Sequence, residues 1–440
     1  MISTDRLSLG RLAAFSFPVV LFQAIELGWR TYLPAFLTQS IGLSLTTVGI
    51  LMMAARSFDA AAGPVIGWLS DHFPTRFGRR RPWMAAGAPL ASIGALALFL
   101  APPGSSIASV IAACLALHLG YSLIVTPHGG WGLELSSDMH ERTRIMGAKV
   151  WFGAAGSIGT LLLLTVLERF FGVGLAGLVM ALGLIIALLA PVSVGLVVSL
   201  FAEKSAAKDD RPGHPLTLLR DMGRDPALRR VILLYLLAGV ADASSMGSFL
   251  FLCENVLGLK GWAAGLMLLQ PIQLLLTLPI WSAVSRRLGR ERTLAIAYAW
   301  QALVMMLVLL LPLGGLAFFA GFLLLRNLSY GVDYMLLRAM VADFVGYGVE
   351  QGQRRAGSYY ALTSIALSLA MGAGAAGMLW LVGLAGFRVE AIASGAAQLV
   401  VRLAYAMPTA AYGLIGLFVL RRSLAGTVIG RRWSGRKLQI

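Results

Sequence analysis

Apolar runs of about 20 residues recur along the whole chain, and each is long enough to cross the ~30 Å hydrocarbon core of a bilayer. The 440 residues are 58% hydrophobic and only 13% charged, whereas soluble domains are about one quarter charged. In lipid, only helices and closed barrels satisfy their backbone polar groups. Because no alternating ten-residue strand pattern occurs, the sequence predicts an all-α polytopic membrane protein.

The length requirement predicts about twelve membrane spans in two groups of six. They fall near residues 12–37, 44–70, 83–101, 107–135, 147–168, 173–201, 228–257, 262–284, 293–312, 315–345, 356–386 and 394–421. The predicted organisation is an N-terminal six-helix half (1–201), a cytoplasmic central loop (202–227), a C-terminal six-helix half (228–421) and a basic cytoplasmic tail (422–440). A basic loop after span two, RFGRRR, has an echo after span eight, SRRLGRER. Two similar halves are typical of the major facilitator fold.

The net charge of +16 is distributed as membrane topology requires. Arginine and lysine cluster in every second connector, whereas the other connectors hold only Arg169, Lys260 and Arg388. The positive-inside rule therefore places both termini in the cytoplasm, in a plasma (inner) membrane, and no nucleic-acid partner is expected. The first apolar run is interpreted as a retained helix rather than a signal peptide. Cys114 and Cys253 lie in apolar segments and indicate no disulfide framework.

Charges inside the spans are the candidates for function, because they are rare and costly in lipid. Glu26 and Arg30 are four residues apart, and Arg56 and Asp59 are three apart. Both spacings place the two side chains on one helix face, so each pair is expected to form. A carboxylate near the middle of a span, such as Asp59, is a natural proton or cation site, with Arg56 as its coupling partner. The alternative is that these pairs are structural and only keep buried charges satisfied.

Two further groups of residues are predicted to line a substrate cavity and a gate. The predicted cavity residues are Glu26, Arg30, Asp242, Lys149, Gln270, Gln273 and Trp131. Asp71 ends span two directly before the arginine cluster, which suggests a cytoplasmic latch that closes one access state. The predicted latch residues are Asp71, Arg79, Arg80, Arg81, Glu141, Arg142, Asp343 and Arg355. His128, after Pro127 in span four, is a further candidate proton relay.

Several chemistries have no motif in this sequence. It contains no G-x-x-x-x-G-K-[ST] phosphate loop, so an ATP-driven pump is not expected. It contains neither H-E-x-x-H nor a clustered Cys/His set, so a metalloprotease is not expected. The sequence therefore predicts neither an enzyme, nor a metal site, nor a cofactor beyond a coupling cation.

Four blocks carry a resemblance to a known family. Arg56 to Trp83 reads R-x-x-D-x-x-x-x-P-x-x-G-x-x-S-D, followed by R-x-G-R-R-R-P-W. The others are LPAFLTQSIGLS (33–44), TPHGGWGLELSSDMHERTRI (126–145) and ADFVGYGVEQGQRRAGSYYAL (342–362). In these blocks the chain resembles the glycoside–pentoside–hexuronide:cation symporters, the melibiose-permease-like family of the major facilitator superfamily. The resemblance implies twelve helices, alternating access and substrate–cation symport.

The sequence departs from that family's pattern at polar positions. Gly63 stands where sodium-coupled members have a second aspartate, and Leu369 stands where a coupling lysine lies in span eleven. The sugar-recognising aspartate and tryptophan of span four fall at Val125 and Gly129. A proton carried by Asp59 is therefore the simpler expectation, with sodium coupling or facilitated diffusion as alternatives.

The sequence thus predicts a secondary transporter, a monomer in the bilayer, that moves a glycoside-like solute together with a proton. The cavity is expected between the two halves near the midplane. Two alternatives remain. One is a lysolipid or lipid-like carrier of the same superfamily, which the missing sugar-binding groups favour. The other is a non-transporting assembly or pigment-handling protein on the same fold, in which Arg56 and Asp59 would be structural.

Overall fold

The structure is a computed structural model that describes residues 7–72, 75–136, 139–203, 226–350, 356–386 and 395–424. Within these ranges the chain is nearly all helical, and β-structure is limited to a single bridge between Thr75 and Gly78. Helical segments cross the bundle twelve times. The predicted all-α fold of two six-helix halves is therefore confirmed, whereas the predicted half boundaries at 201 and 228 stay predictions.

The N-terminal half consists of helices α1 to α6. They span α1 (Leu9–Gln39), α2 (Leu45–His72), α3 (Arg81–Phe99), α4 (Ile107–Glu134), α5 (Met139–Phe170) and α6 (Leu175–Leu200). The C-terminal half consists of helices α7 to α12. They span α7 (Pro226–Leu250, continued by Phe251–Val256), α8 (Ala263–Leu288), α9 (Arg290–Leu310), α10 (Leu316–Asn327 and Val332–Glu350), α11 (Ala356–Leu384) and α12 (Gly395–Leu424).

Ten of these twelve described segments have the length and the apolar composition needed to cross a membrane. The other two are α2 and α10. The middle of α2 carries Arg56 and Asp59, and α10 is interrupted at residues 328–331 and carries Arg326 and Asp333. Both helices therefore carry charged side chains within their apolar segments, one helix in each half.

The first helix of each half contains a π-helical turn. In α1 the turn is Gly28–Tyr32, and in α7 it is Phe251–Val256. A π-turn holds an extra residue, so it rotates the side chains that follow it, and such turns are frequent at functional sites. The two turns support the internal repeat that the echoed basic loops predict.

The two ends of the bundle differ. We call the end with the arginine-rich connector at residues 75–80 the basic side, and the other end, with connectors 40–44 and 257–262, the opposite side. At Gly49 of α2, an added Cβ would lie 3.1 Å from the carbonyl oxygen of Ala376 in α11. At Gly383, further along α11, it would lie 3.4 Å from Leu45 of α2. The halves are therefore in close contact toward the opposite side.

The main buried core lies mostly in the N-terminal half, with a smaller one in the C-terminal half. Trp29, Tyr32 and Phe99 are almost fully buried in the first, and Tyr298 and Tyr412 in the second. These aromatic side chains support the helices on which the charged residues sit.

Helices α3 and α4 approach each other so closely that only glycine fits at two positions. A Cβ added to Gly94 would overlap the backbone nitrogen of Leu117, and one added to Gly120 would overlap the backbone nitrogen of Ala91. Small residues allow this backbone contact in membrane bundles. The contact fixes α4, which carries part of the candidate site.

We predict that Gly120→Ala destabilises the protein by about 1–3 kcal/mol, because the added methyl group forces α3 and α4 apart. Gly159→Ala is the matched control, since nothing lies within 4 Å of a Cβ at that helical position. Thermal unfolding in detergent measures both variants. Equal midpoints for the two variants would contradict the close contact between α3 and α4.

Candidate functional site

Charged side chains from four helices meet in the middle of the bundle. Arg56 of α2 binds both carboxylate oxygens of Glu26 in α1, with Nη1–Oε1 at 3.0 Å and Nη2–Oε2 at 2.6 Å. The same Nη1 atom lies 3.6 Å from Oδ2 of Asp59. The Arg56–Asp59 pair that the spacing predicted is thus present, and one guanidinium also bridges to a second carboxylate. Their proposed role in coupling stays a prediction.

The predicted pair between Glu26 and Arg30 is wrong. Arg30 instead pairs with Asp242 of α7, with Nη2 and Oδ2 2.5 Å apart. The spacing rule assumes α-helical geometry, but the π-turn Gly28–Tyr32 contains Arg30 and turns its side chain away from Glu26. Among the described residues, Arg30–Asp242 is the only ion pair that joins the two halves.

His118 of α4 completes the cluster, and the sequence analysis missed it. Its Nδ1 atom lies 3.0 Å from Oδ1 and 2.9 Å from Oδ2 of Asp59. Ser122 Oγ donates to Asp59 at 3.4 Å, and Tyr121 Oη donates to Glu26 at 3.5 Å. The spacing of these α4 residues could have indicated the site, since positions 118, 121 and 122 form one polar helix face.

His128, the other candidate in α4, lies apart from this cluster. Its Nε2 atom is 2.8 Å from the carbonyl oxygen of Phe15, and its ring stacks on the Phe15 ring with centroids 4.7 Å apart. The residue is fully buried. These contacts give His128 a packing role between α1 and α4.

A small cavity of about 40 Å³ lies in the C-terminal half beside this cluster. Its polar lining includes Asp242, Gln301, Arg326, Tyr330, Asp333 and Tyr334. Tyr330 Oη donates to Oδ1 of Asp242 at 3.4 Å. A second cavity of about 10 Å³, lined by residues that include Trp29, Arg30 and Arg56, lies at the interface of the halves. The Arg30–Asp242 pair therefore stands between the charged cluster and the larger cavity.

Arg326 and Asp333 are the cavity's remaining charged groups. The Arg326 guanidinium carbon lies 5.8 Å from the centroid of the Tyr330 ring and 5.6 Å from that of Tyr405. Asp333 is buried, and its Oδ1 accepts from the backbone N–H of Tyr334 at 2.9 Å. Neither side chain forms an ion pair with another described residue, and Arg326 Nη1 donates to Oδ1 of Asn327 at 3.3 Å.

The structure does not bring the other predicted cavity residues to these two cavities. Trp131 is buried and meets the rings of Phe15 and Phe201 edge-on. The amide of Gln273 donates to the carbonyl oxygen of Leu324 at 2.9 Å and ties α8 to α10. A role of either residue in substrate binding stays a prediction. Gln270 and Lys149 are half-buried and line neither cavity.

The backbone of the arginine cluster on the basic side is held by a carboxylate of the N-terminal half. The carboxylate of Glu203, just after α6, accepts from the backbone N–H groups of Arg79, Arg80 and Arg81 at 2.6, 2.8 and 2.7 Å. Arg81 Nη2 also donates to the carbonyl oxygen of Val198 at 2.5 Å. Glu203, which the sequence analysis missed, thus caps the start of α3, where a negative charge is favourable.

Only part of the predicted latch can be described. Glu141 pairs with Arg144 at 3.0 Å and accepts from the backbone N–H of Leu7 at 3.0 Å, so it ties α5 to the start of the chain. The side chains of four predicted latch residues lie outside the described part of the chain. They are Asp71, Arg142, Asp343 and Arg355. A latch between the halves stays a prediction.

On the opposite side, two contacts fasten the halves to each other. Oε2 of Glu168 in α5 accepts from the backbone N–H of Ala264, in the first turn of α8, at 3.1 Å. The Arg169 guanidinium lies 4.1 Å from the centroid of the Trp262 ring. A carboxylate at a helix N-terminus is stabilised by the exposed N–H groups and the helix dipole. Glu168 therefore helps to keep the opposite side closed.

Twelve helices in two halves, with a charged cavity between them near the midplane, define the architecture of a secondary transporter. The family model described as MFS/sugar transport protein matches residues 14–424. The chain therefore belongs to that family, and its resemblance to the glycoside–pentoside–hexuronide:cation symporters is confirmed. It is a multi-pass membrane transporter of the major facilitator type and not an enzyme.

Individual relatives share a low sequence identity with this chain or match only part of it. The isoprimeverose transporter of Lactiplantibacillus pentosus is 25% identical over 415 residues, which cover 89% of this chain and 83% of that protein. An uncharacterised symporter of Synechocystis sp. is 33% identical, but the 141 aligned residues cover 30% of this chain and only 26% of that protein. Among solved structures, the nucleoside transporter NupG superposes with a TM-score of 0.68 at 15% identity, over 95% of this chain and 99% of that one. This last likeness shows the fold alone.

We predict that Arg30→Ala and Asp242→Ala each destabilise the protein strongly and that their effects are not additive. Removing one partner of a buried ion pair leaves the other charge uncompensated, which costs about 3–5 kcal/mol. A double-mutant cycle on thermal stability in detergent measures the coupling. Arg338→Ala is the matched control, because Arg338 is an exposed arginine on α10. Additive losses would contradict a direct link between the halves.

We also predict that Glu168→Gln loosens the closure on the opposite side. The neutral amide loses the charge that favours binding at the start of α8. Cys253 is a native reporter, because it is buried in the π-turn of α7 directly before the connector 257–262 on the opposite side. Its reaction with a thiol reagent is expected to become faster in the variant. Buried Cys114 of α4 is the internal control. An unchanged Cys253 rate, or equal acceleration at both cysteines, would contradict the prediction.

Proposed function

We propose that this transporter moves a small glycoside or related sugar together with a proton, by alternating access. One observation carries the proposal. Asp59, near the middle of a membrane span, is held between Arg56 and His118, and Arg56 lines the same cavity between the halves as Arg30. The family and the isoprimeverose-transporting relative support a sugar as the solute. We place the protein in the inner membrane as a monomer, with both termini in the cytoplasm.

The larger cavity is the proposed solute site. Its volume of about 40 Å³ is room for about three water molecules, so this state must open further to admit a sugar. Sugar hydroxyls need both donors and acceptors, and Gln301, Tyr334 and Asp242 supply them. In the N-terminal half, Val125 and Gly129 stand where the family's sugar-binding groups are expected. The C-terminal half therefore supplies most of the polar contacts in this proposal.

The Arg30–Asp242 pair connects solute binding to the movement of the halves. Asp242 lines the larger cavity and Arg30 the smaller one. A solute that hydrogen-bonds to Asp242 competes with Arg30, and it thereby weakens the only described ion pair between the halves. A ligand shifts a conformational equilibrium by its difference in affinity for the two states. Competition for Asp242 supplies such a difference.

The lining of the cavity argues against a lysolipid as the solute. Asp242, Arg326 and Asp333 place three charged groups around the space. An acyl chain would bury these charges without giving them hydrogen bonds, which is costly. A sugar gives them hydroxyl partners. Membership of a transport family likewise favours transport over a purely structural role for Arg56 and Asp59.

We predict that Asp59→Asn abolishes accumulation of the solute against its gradient and spares exchange of internal for external solute. The amide cannot bind and release the coupling proton, but it keeps the size and hydrogen-bonding capacity of the side chain. Uptake of a panel of labelled glycosides and lysolipids into transport-deficient cells, with and without a protonophore, measures this. One charge crossing ~100 mV drives about 50-fold accumulation.

The control for this experiment is Arg338→Ala, which changes an exposed charge on α10 and leaves the cluster intact. Full accumulation by Asp59→Asn would contradict the coupling role of Asp59. Movement of a lysolipid, with no glycoside moved, would contradict the sugar as solute.

A further inference from the structure

We propose that the transported proton is shared between Asp59 and His118, and that His118 makes this site selective for a proton over a sodium ion. The inference rests on the proposed cation symport and assigns its coupling site to particular atoms. It starts from the charges of the cluster and from the atoms that surround the Asp59 carboxylate.

The cluster holds one more negative charge than positive charges. Arg30 and Asp242 form a neutral pair across the halves. The remaining charges are the carboxylates of Glu26 and Asp59 and the single guanidinium of Arg56, which leave a net charge of −1. An uncompensated charge is expensive in the interior of a membrane protein. One bound proton makes the cluster neutral, and His118, which is hydrogen-bonded to Asp59, is the side chain that would take it up.

The groups that face this hydrogen bond come from three helices. Arg56 of α2 approaches Asp59 from one side, and Ser122 of α4 donates to it. From α1, Glu26 lies beyond Arg56, and the Trp29 ring lies edge-on to His118 with centroids 4.3 Å apart. Helix α3 also lies beside this cluster. Its only titratable side chain is Arg81, at its basic end. Within this described environment, His118 is the one side chain that can gain a positive charge by taking up a proton.

The two ring nitrogens of His118 have different surroundings. Nδ1 lies 2.9–3.0 Å from both carboxylate oxygens of Asp59, so its proton is donated to that carboxylate. Nε2 is buried and has no hydrogen-bond partner. A proton arriving at Nε2 produces an imidazolium while the bond from Nδ1 to Asp59 remains in place. Loss of the proton from Nε2 restores the neutral ring, so the step needs no other reactant.

The same geometry disfavours a sodium ion. Hard cations need several oxygen ligands around them. Here both oxygens of Asp59 face the nitrogen of His118, and one of them also faces Arg56. The nearest additional oxygen donor given by the structure is Ser122 Oγ at 3.4 Å. Gly63, one helical turn after Asp59, has no side chain that could supply another ligand.

The first experiment detects the proton directly and needs no solute. The full chain, with ¹⁵N-labelled imidazoles, is placed in lipid nanodiscs, and its five histidines are followed by NMR through the pH range in which histidine titrates. His118→Gln assigns the signal. The expected result is that the His118 ring passes from neutral to imidazolium and that sodium chloride and choline chloride leave this titration equally unchanged. A ring that stays neutral throughout, or a proton displaced by sodium but not by choline, would overturn the proposal.

The second experiment measures transport in proteoliposomes. The side-chain amide of His118→Gln still donates to Asp59, but it cannot carry a proton. We expect this variant to lose proton-driven accumulation, about 50-fold for one charge across ~100 mV, and to retain exchange. Retained exchange also shows that the variant is folded. Equal protonophore-sensitive accumulation by wild type and His118→Gln, or accumulation driven by a sodium gradient in wild type, would overturn the proposal.

The two experiments separate this inference from the proposed function. If no glycoside is transported, the proposed function fails, and the histidine titration still decides whether Asp59 and His118 hold a proton. If a glycoside accumulates and the His118 ring never becomes charged, the proposed function stands and the assignment of the proton to this pair is overturned.

Discussion

The guanidinium of Arg56 is the charge on which the candidate site depends. It lies on α2, is almost completely buried, and binds carboxylates from two helices. Arginine suits this position because it stays charged when buried and offers donors in a planar fork. Without it, Glu26 and Asp59 would place two negative charges side by side in a medium of low polarity. Asp59 would then lack the cation that holds it beside His118, so the geometry of the proton site follows from this one side chain.

The general fold could be predicted from the sequence, but the partners within the site could not. Span length and hydropathy decide how often a chain crosses a bilayer, and both are local properties. The Arg56–Asp59 pair is also local, since three residues of regular helix separate them. The partners of Arg30 and His118 are set by helix packing and by a π-turn that spacing rules do not include. Glu203 was missed for a similar reason, because it follows α6 and meets α3 only in the folded bundle. For Trp131 the sequence leaves two roles open, because aromatic side chains serve equally in cores and in binding sites.

The π-turn in α1 determines which of two carboxylates Arg30 pairs with. In this structure the turn directs Arg30 to Asp242, and the halves are linked. In a regular α-helix, residues four apart share one face, and Arg30 would lie beside Glu26. The partner of Arg30 therefore depends on the local winding of α1, and α1 is a helix that contributes to both the charged cluster and the smaller cavity. With Asp242 as its partner, Arg30 forms a contact between the halves, whereas with Glu26 it would form a contact within one half.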